Sequence, residues 1–99
     1  MPKKRSASAK GRLLEFYGTE CVHCKEMDPI IQRVEKEAKM KIIRLETWHN
    51  STNAKLLEKY DNGFCGGVPF FYNENTGEKI CGEAPFDKLL KWAKKKPSK

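Results

Sequence analysis

The chain has 99 residues, of which 38% are hydrophobic, and a formal net charge of +7. This size suits one small domain, and no stretch approaches the roughly 20 apolar residues that a membrane-spanning helix needs. The first ten residues lack the apolar segment of a secretory signal, so we expect a cytoplasmic protein without a membrane partner, with organellar or nuclear placement left open.

The positive charge is concentrated at the two ends of the sequence. Residues 1–12 carry five Lys or Arg and residues 91–99 carry five Lys, both without acids, whereas residues 13–90 carry ten basic and thirteen acidic residues. A nucleic-acid-binding face would interleave basic and aromatic residues on the folded body, so a nucleic-acid partner is not expected. We predict a disordered basic arm over 1–11, a folded domain over 12–95 and a disordered basic tail over 96–99. The alternatives are a nuclear-import signal at residues 2–5 and loose attachment to an acidic partner.

The first half of the domain predicts a strand followed by a helix. Residues 13–17 form a short apolar run, which predicts a buried strand in which the carboxylate of Glu15 is anomalous. After Cys24, apolar residues recur every three or four positions to about residue 38, which predicts a helix with a kink at Pro29.

The second half of the domain alternates in the same way. The pattern predicts, in chain order, a strand over 41–46, a helix from about 50 to 61, strands over 68–72 and 78–81 joined by a hairpin loop, and a last helix from about residue 85. The order is therefore β-α-β-α-β-β-α. The crossover rule makes the first two strands parallel, and the hairpin makes the last two antiparallel. We predict an α/β fold with a mixed four-stranded sheet flanked by helices.

Cys21-Val22-His23-Cys24 lies where the first strand gives way to the helix. A Cys-x-x-Cys pair at such a junction indicates a thiol–disulfide redox site. A buried or zinc-bound pair is the alternative. Zinc would need two further ligands, and the remaining cysteines and histidines do not form a second short-spaced pair, so no metal site is predicted.

The element order and the Cys-x-x-Cys motif together resemble the thioredoxin superfamily over residues 13–95. Pro29 falls where that family kinks its active-site helix, Val68-Pro69 is similar to its hydrophobic residue plus cis-proline, and Gly82 is similar to its glycine after the last strand. The resemblance implies the short form of the fold, without the family's N-terminal strand and helix. It also implies a substrate groove formed by Val68, Pro69, Val22 and Gly82.

The resemblance implies a role for each residue of the motif. Cys21 should be the exposed attacking thiol at a helix N-terminus, where the helix dipole stabilises a thiolate, and Cys24 the more buried resolving thiol. The Cys-x-His-Cys form is similar to that of protein disulfide isomerases and periplasmic thiol oxidases. His23 should stabilise the Cys21 thiolate and move the reduction potential to roughly −240 to −150 mV, above the value of about −270 mV for thioredoxin. The alternative is that His23 is only a solvent-exposed residue at the helix start.

Glu15 occupies the place of the buried acid in thioredoxins, so the resemblance makes it the proton acceptor that activates Cys24. Arg44 in the second strand is a candidate basic partner for that acid. Cys65 and Cys81 should lie near the active-site end as structural or regulatory thiols, either paired or as small buried residues. Trp48 and His49 could edge the groove, although an ordinary surface loop is the simpler interpretation.

Together these features predict a thiol–disulfide oxidoreductase that exchanges disulfides with proteins. The dithiol is itself the redox group, so no cofactor is expected. Partners would be protein thiols or disulfides and an unidentified reductase or oxidant, and the chain is expected to be a monomer. The alternatives are a redox-inactive thioredoxin-fold binding module and a glutaredoxin-like function with glutathione or an iron–sulfur cluster.

Overall fold

The computed structural model of the protein describes residues 11–95. The predicted N-terminal arm, up to residue 10, and the predicted tail lie outside the described residues and stay predictions. The elements, in chain order, are β1 (Leu13–Tyr17), α1 (Val22–Glu26), α2 (Asp28–Ala38), β2 (Ile42–Glu46), α3 (Ser51–Asp61), β3 (Phe70–Asn73), β4 (Lys79–Cys81) and α4 (Phe86–Lys94).

The four strands form one mixed sheet in the order β2-β1-β3-β4. β1 pairs with β2 in parallel, whereas β1 with β3 and β3 with β4 are antiparallel. The predicted α/β class and the mixed four-stranded sheet are therefore confirmed. The first strand lies between β2 and β3, so a residue in its middle is flanked by strands on both sides.

Apolar side chains on the two faces of the sheet form two separate cores. On one face, α2 and α4 cover a cluster that includes Ile31, Phe71 and Trp92, and the last two rings meet edge to face. On the other face, α3 covers Leu14, Phe16 and Phe70. Removal of the apolar side chains of both clusters from water stabilises the folded domain.

The predicted kink lies two residues earlier than Pro29. The helical segment ends at Glu26 and restarts at Asp28, with Met27 as the junction. Pro29 therefore lies in the first turn of α2, where its missing N–H would have had no helical partner. The single predicted helix is in fact two, and the short α1 carries the cysteines.

The third strand begins later than predicted. Val68 and Pro69 precede β3 rather than belonging to it, and Pro69 has no N–H to donate to a neighbouring strand. At the other end β3 includes Asn73, whose buried side-chain amide donates to the carbonyl of Trp92 at 2.8 Å. Within residues 11–95, no helix is long and apolar enough to cross a membrane.

Candidate functional site

The Cys-x-x-Cys pair lies at the start of the short helix α1. Cys21 and Cys24 are joined by a disulfide with their Cα atoms 5.2 Å apart. Cys21 is the N-cap residue, and the backbone N–H of Cys24 donates to its sulfur at 3.1 Å. An N–H that points at Cys21 Sγ in the oxidised protein is also placed to stabilise a thiolate on that atom after reduction.

Cys21 is not exposed in this oxidised form, so that part of the prediction is wrong. Its exposed fraction is 6%, and that of Cys24 is 1%. The cause is the loop before β3, because the Val68 carbonyl oxygen lies 3.9 Å from Cys21 Sγ. The predicted order of burial, with Cys24 the deeper of the two, agrees with the structure.

The loop that covers Cys21 is the Val68-Pro69 segment. The peptide bond between these residues is cis, and the N–H of Gly82 donates to the Pro69 carbonyl at 2.8 Å. Val68, Pro69 and Gly82 line an open groove of about 390 Å³ together with His23 and Glu83. The structure thus brings three of the four predicted substrate-contacting residues together.

The fourth predicted groove residue, Val22, is on the outer surface of α1. It is strongly exposed and does not line the groove. An exposed apolar side chain next to Cys21 can nevertheless touch a large protein substrate.

His23 points toward acidic side chains of α1 and the loop after β4. Its Nδ1 contacts a carboxylate oxygen of Glu83 and lies 3.4 Å from Glu26. The pKa of His23 is raised, and the largest cause is its hydrogen bond with Glu83. The negative charge of Glu83 is the second cause, and Glu26 adds to the effect. Nothing in the sequence pattern selected these two acids, although Glu26 follows His23 by three residues on a helix and Glu83 directly follows Gly82.

Glu15 is completely buried in the central strand β1. Arg44, its neighbour in β2, donates from Nε to Glu15 Oε1 at 2.6 Å, while Oε2 has no hydrogen-bond partner among the described residues. Burial raises the pKa of Glu15 to about 7, and Arg44 only partly opposes this. An acid with a pKa near neutrality can both accept and release a proton.

Arg44 also binds a second carboxylate, which the sequence pattern did not reveal. Its Nη2 donates to Asp28 Oδ1 at 2.5 Å. The negative charge of Asp28 raises the pKa of Glu15, because a carboxylate on the same guanidinium repels an ionised Glu15. The predicted partnership of Glu15 and Arg44 is present, with Asp28 as a third member at the start of α2.

Cys65 and Cys81 form a second disulfide, with their Cα atoms 5.4 Å apart. Pairing was one of the alternatives for these two residues. Trp48 and His49 do not line the groove. The Trp48 ring lies directly over Gly18, where a Cβ would clash with it, and the His49 ring contacts Glu20 at 2.8 Å.

The only described side chains grouped suitably for a metal ion are His23, Glu26 and Glu83, whose ligand atoms lie within 4.8 Å of one another. All three are exposed, and His23 already contacts both acids. The sulfurs of the four cysteines are bonded in pairs, so in this oxidised form they offer no thiolate ligand.

Comparison with known proteins agrees with this geometry. A sequence model of the family described as thioredoxin matches residues 3–95, which is nearly the whole chain. A search among curated proteins found no significant match. We conclude from the sheet order, from the Cys-x-x-Cys disulfide at the start of a helix and from the family match over residues 3–95 that the chain belongs to the thioredoxin family.

Proposed function

We propose that the protein is a thiol–disulfide oxidoreductase that acts on protein disulfides or dithiols through Cys21 and Cys24. The observation that carries the proposal is the position of Cys21 Sγ, which caps α1 and lies against the Val68 carbonyl at the edge of the groove. An extended substrate segment in that groove would present its own sulfur next to Cys21.

In the reductive direction, the Cys21 thiolate attacks one sulfur of a substrate disulfide. The other substrate sulfur leaves as a thiolate, and a mixed disulfide with Cys21 remains. Cys24 then loses its proton and attacks Cys21 Sγ, which releases the second substrate thiolate and closes the Cys21–Cys24 disulfide. Two electrons pass from the protein to the substrate, and the reverse sequence oxidises a substrate dithiol.

Glu15 is proposed as the acceptor of the Cys24 proton. Complete burial and a pKa of about 7 support this role, because a carboxylate that is ionised only above neutrality is a stronger base than an exposed one. Arg44 holds one Glu15 oxygen by a hydrogen bond and leaves the other available to exchange a proton.

His23 is proposed to make the couple more oxidising than thioredoxin. The carboxylate of Glu83 favours the imidazolium form of His23, and a positive charge between the two cysteines favours the thiolate and hence the reduced state. The expected potential is roughly −240 to −150 mV. Equilibration with glutathione measures it, and a value below about −270 mV would contradict this part of the proposal.

Reduction of insulin disulfides by dithiothreitol tests the activity itself. The chain is expected to accelerate the reaction, and Cys21→Ser is expected to abolish the acceleration because the attacking sulfur is gone. The matched variant Cys24→Ser should still form the mixed disulfide through Cys21 but should turn over more slowly, because only dithiothreitol can then release the substrate. Absence of turnover by the unaltered chain, with no difference from Cys21→Ser, would favour a redox-inactive binding module. A coloured preparation that holds an iron–sulfur cluster would favour a glutaredoxin-like function.

A further inference from the structure

The disulfide between Cys65 and Cys81 has no part in the proposed exchange reaction, yet it is next to the groove. Cys81 is the last residue of β4 and lies directly opposite Phe70 in the strand ladder. Cys65 precedes Phe70 by five residues. The disulfide therefore fastens the beginning of the loop that contains Val68 and Pro69 onto the last strand of the sheet.

The loop has little else to hold it between these points. Gly66 adopts φ +80°, and an added Cβ at either Gly66 or Gly67 would meet no atom within 4 Å. Phe64, just before Cys65, has an exposed ring. The segment that leads to the Val68 carbonyl thus crosses two glycines that have no side chain and open space beside them.

Two other contacts anchor this loop. The Asp61 carboxylate accepts hydrogen bonds from the N–H groups of Cys65, at 2.6 Å, and Gly66, at 2.8 Å. At the far end, the N–H of Gly82 donates to the Pro69 carbonyl. Loss of the disulfide would leave the start of the loop attached by the Asp61 hydrogen bonds and by the packing of Cys65 against the core.

The two cysteines differ in their exposure to solvent. Cys81 is exposed and lies in β4, the edge strand of the four-stranded sheet. Cys65 is half-buried and packs against the cluster of Leu14, Phe16 and Phe70. A thiol from solvent can approach Cys81 more easily, and thiol–disulfide exchange depends on such access.

We propose that Cys65 and Cys81 form a second redox couple whose state sets how firmly the Val68-Pro69 loop is held, and thereby how well protein substrates bind. The effect on substrates rests on the proposed function, whereas the redox reaction of the pair does not. A dithiol reductant attacks Cys81 Sγ, and Cys65 leaves as a thiolate that takes up a proton. The second thiol of the reductant then displaces Cys81, which is also protonated, so two electrons and two protons enter and the reductant leaves as a disulfide.

The reaction is tested on the variant Cys21→Ser/Cys24→Ser, in which only the second pair can titrate. The protein is equilibrated in dithiothreitol buffers of graded reduced-to-oxidised ratio, alkylated and mapped by mass spectrometry, with circular dichroism to follow folding. We expect Cys65 and Cys81 to become alkylated together while the protein is folded. A pair that stays closed until the protein unfolds would be purely structural and would overturn the proposal.

The consequence for the loop is measured by hydrogen exchange on the same variant in both redox states. Faster exchange at Cys65 and Gly66, whose N–H groups donate to Asp61, is expected after reduction, with unchanged exchange in the ladder between β1 and β2. Equal exchange at these two residues in the two states would overturn the proposal. This readout needs no enzymatic activity, so it stands apart from the proposed function.

The consequence for substrates is measured on Cys65→Ser/Cys81→Ser with an intact active pair. The KM for insulin should rise about two- to tenfold, because the loop must now be ordered on binding, while the rate with a small disulfide should be unchanged. Asp61→Asn is the matched control: it loosens the same loop but keeps the disulfide, so its KM should be higher and should rise further as the redox buffer becomes reducing, whereas the KM of the double variant should not respond to the buffer. An unchanged KM for insulin in the double variant would overturn the proposed effect on substrates.

Discussion

Replacing Glu15 with Gln removes an ionisable group from the centre of the sheet. The pKa of Glu15 is about 7 in the folded protein, against an ordinary value of 4.5. Between these pH values the folded protein keeps a proton that the unfolded chain has released, so stability falls as pH rises from 4.5 to 7 and is level above 7. Each tenfold change in proton affinity is worth about 1.4 kcal/mol, so the loss amounts to roughly 3 kcal/mol at pH 8.

Gln has the shape of a protonated Glu and keeps the hydrogen bond with Arg44 available. Glu15→Gln should therefore match the unaltered protein in stability at pH 4.5 and exceed it by roughly 3 kcal/mol at pH 8. Urea unfolding of the oxidised proteins from pH 4.5 to 8.5 measures this. Glu37→Gln, at an exposed position of α2, is the control and should follow the unaltered protein.

The same variant separates stability from activity. If Glu15 accepts the Cys24 proton, Glu15→Gln should slow the release of substrate from the mixed disulfide and remove the pH dependence of that step near 7. Stability curves that run parallel for Glu15→Gln and the unaltered protein would refute the argument from burial. An unchanged release step would refute the proton-acceptor role.

Three further changes test the charges around the site and the hairpin. Asp28→Asn frees the shared guanidinium for Glu15 alone, so the pKa of Glu15 should fall and the midpoint of its stability loss should move to lower pH in urea unfolding. Glu83→Gln removes the main cause of the raised pKa of His23, and an NMR titration of the ring should show a lower midpoint. Glu74, in the hairpin loop, forms an ion pair with Arg12 at 2.9 Å. This contact is the chief reason that the pKa of Glu74 is lowered to about 2, so its stabilising effect is present above pH 4.5 and is lost as pH falls through 2. After allowance for solvent screening, Glu74→Gln should cost about 1–2 kcal/mol at pH 7 and progressively less at acidic pH. An equal cost for Glu74→Gln at pH 7 and pH 2 would contradict that explanation.

The sheet could be predicted from the sequence because its signals are local. The first strand has the predicted bounds, since the apolar run of residues 13–17 is short and ends at Gly18, and the anomalous Glu15 is buried as expected. The break between α1 and α2 was harder to predict from the sequence. Pro29 indicates that the helix is interrupted nearby. The exact position of the turn, at Met27, depends on how α1 and α2 pack against the sheet, and that packing is set by residues distant in sequence.

The site was predicted in part for the same reason. The cysteine pair is a local motif, whereas the contacts of His23 with Glu83 and of Asp28 with Arg44 join residues that only the folded sheet brings together. The burial of Cys21 likewise depends on Val68, 47 residues away along the chain. Charged partners of an active centre that come from other elements leave little periodic signal in one sequence.

Trapping of a mixed disulfide tests the central claim most directly. Cys24→Ser, reduced and then mixed with a disulfide-containing protein such as insulin, should accumulate a covalent adduct that dithiothreitol reverses and that peptide mapping places at Cys21. The matched variant Cys21→Ser/Cys24→Ser should form no adduct at position 21 or 24. Failure of Cys24→Ser to form the adduct, or an adduct that maps only to Cys65 or Cys81, would contradict the assignment of Cys21 as the attacking thiol.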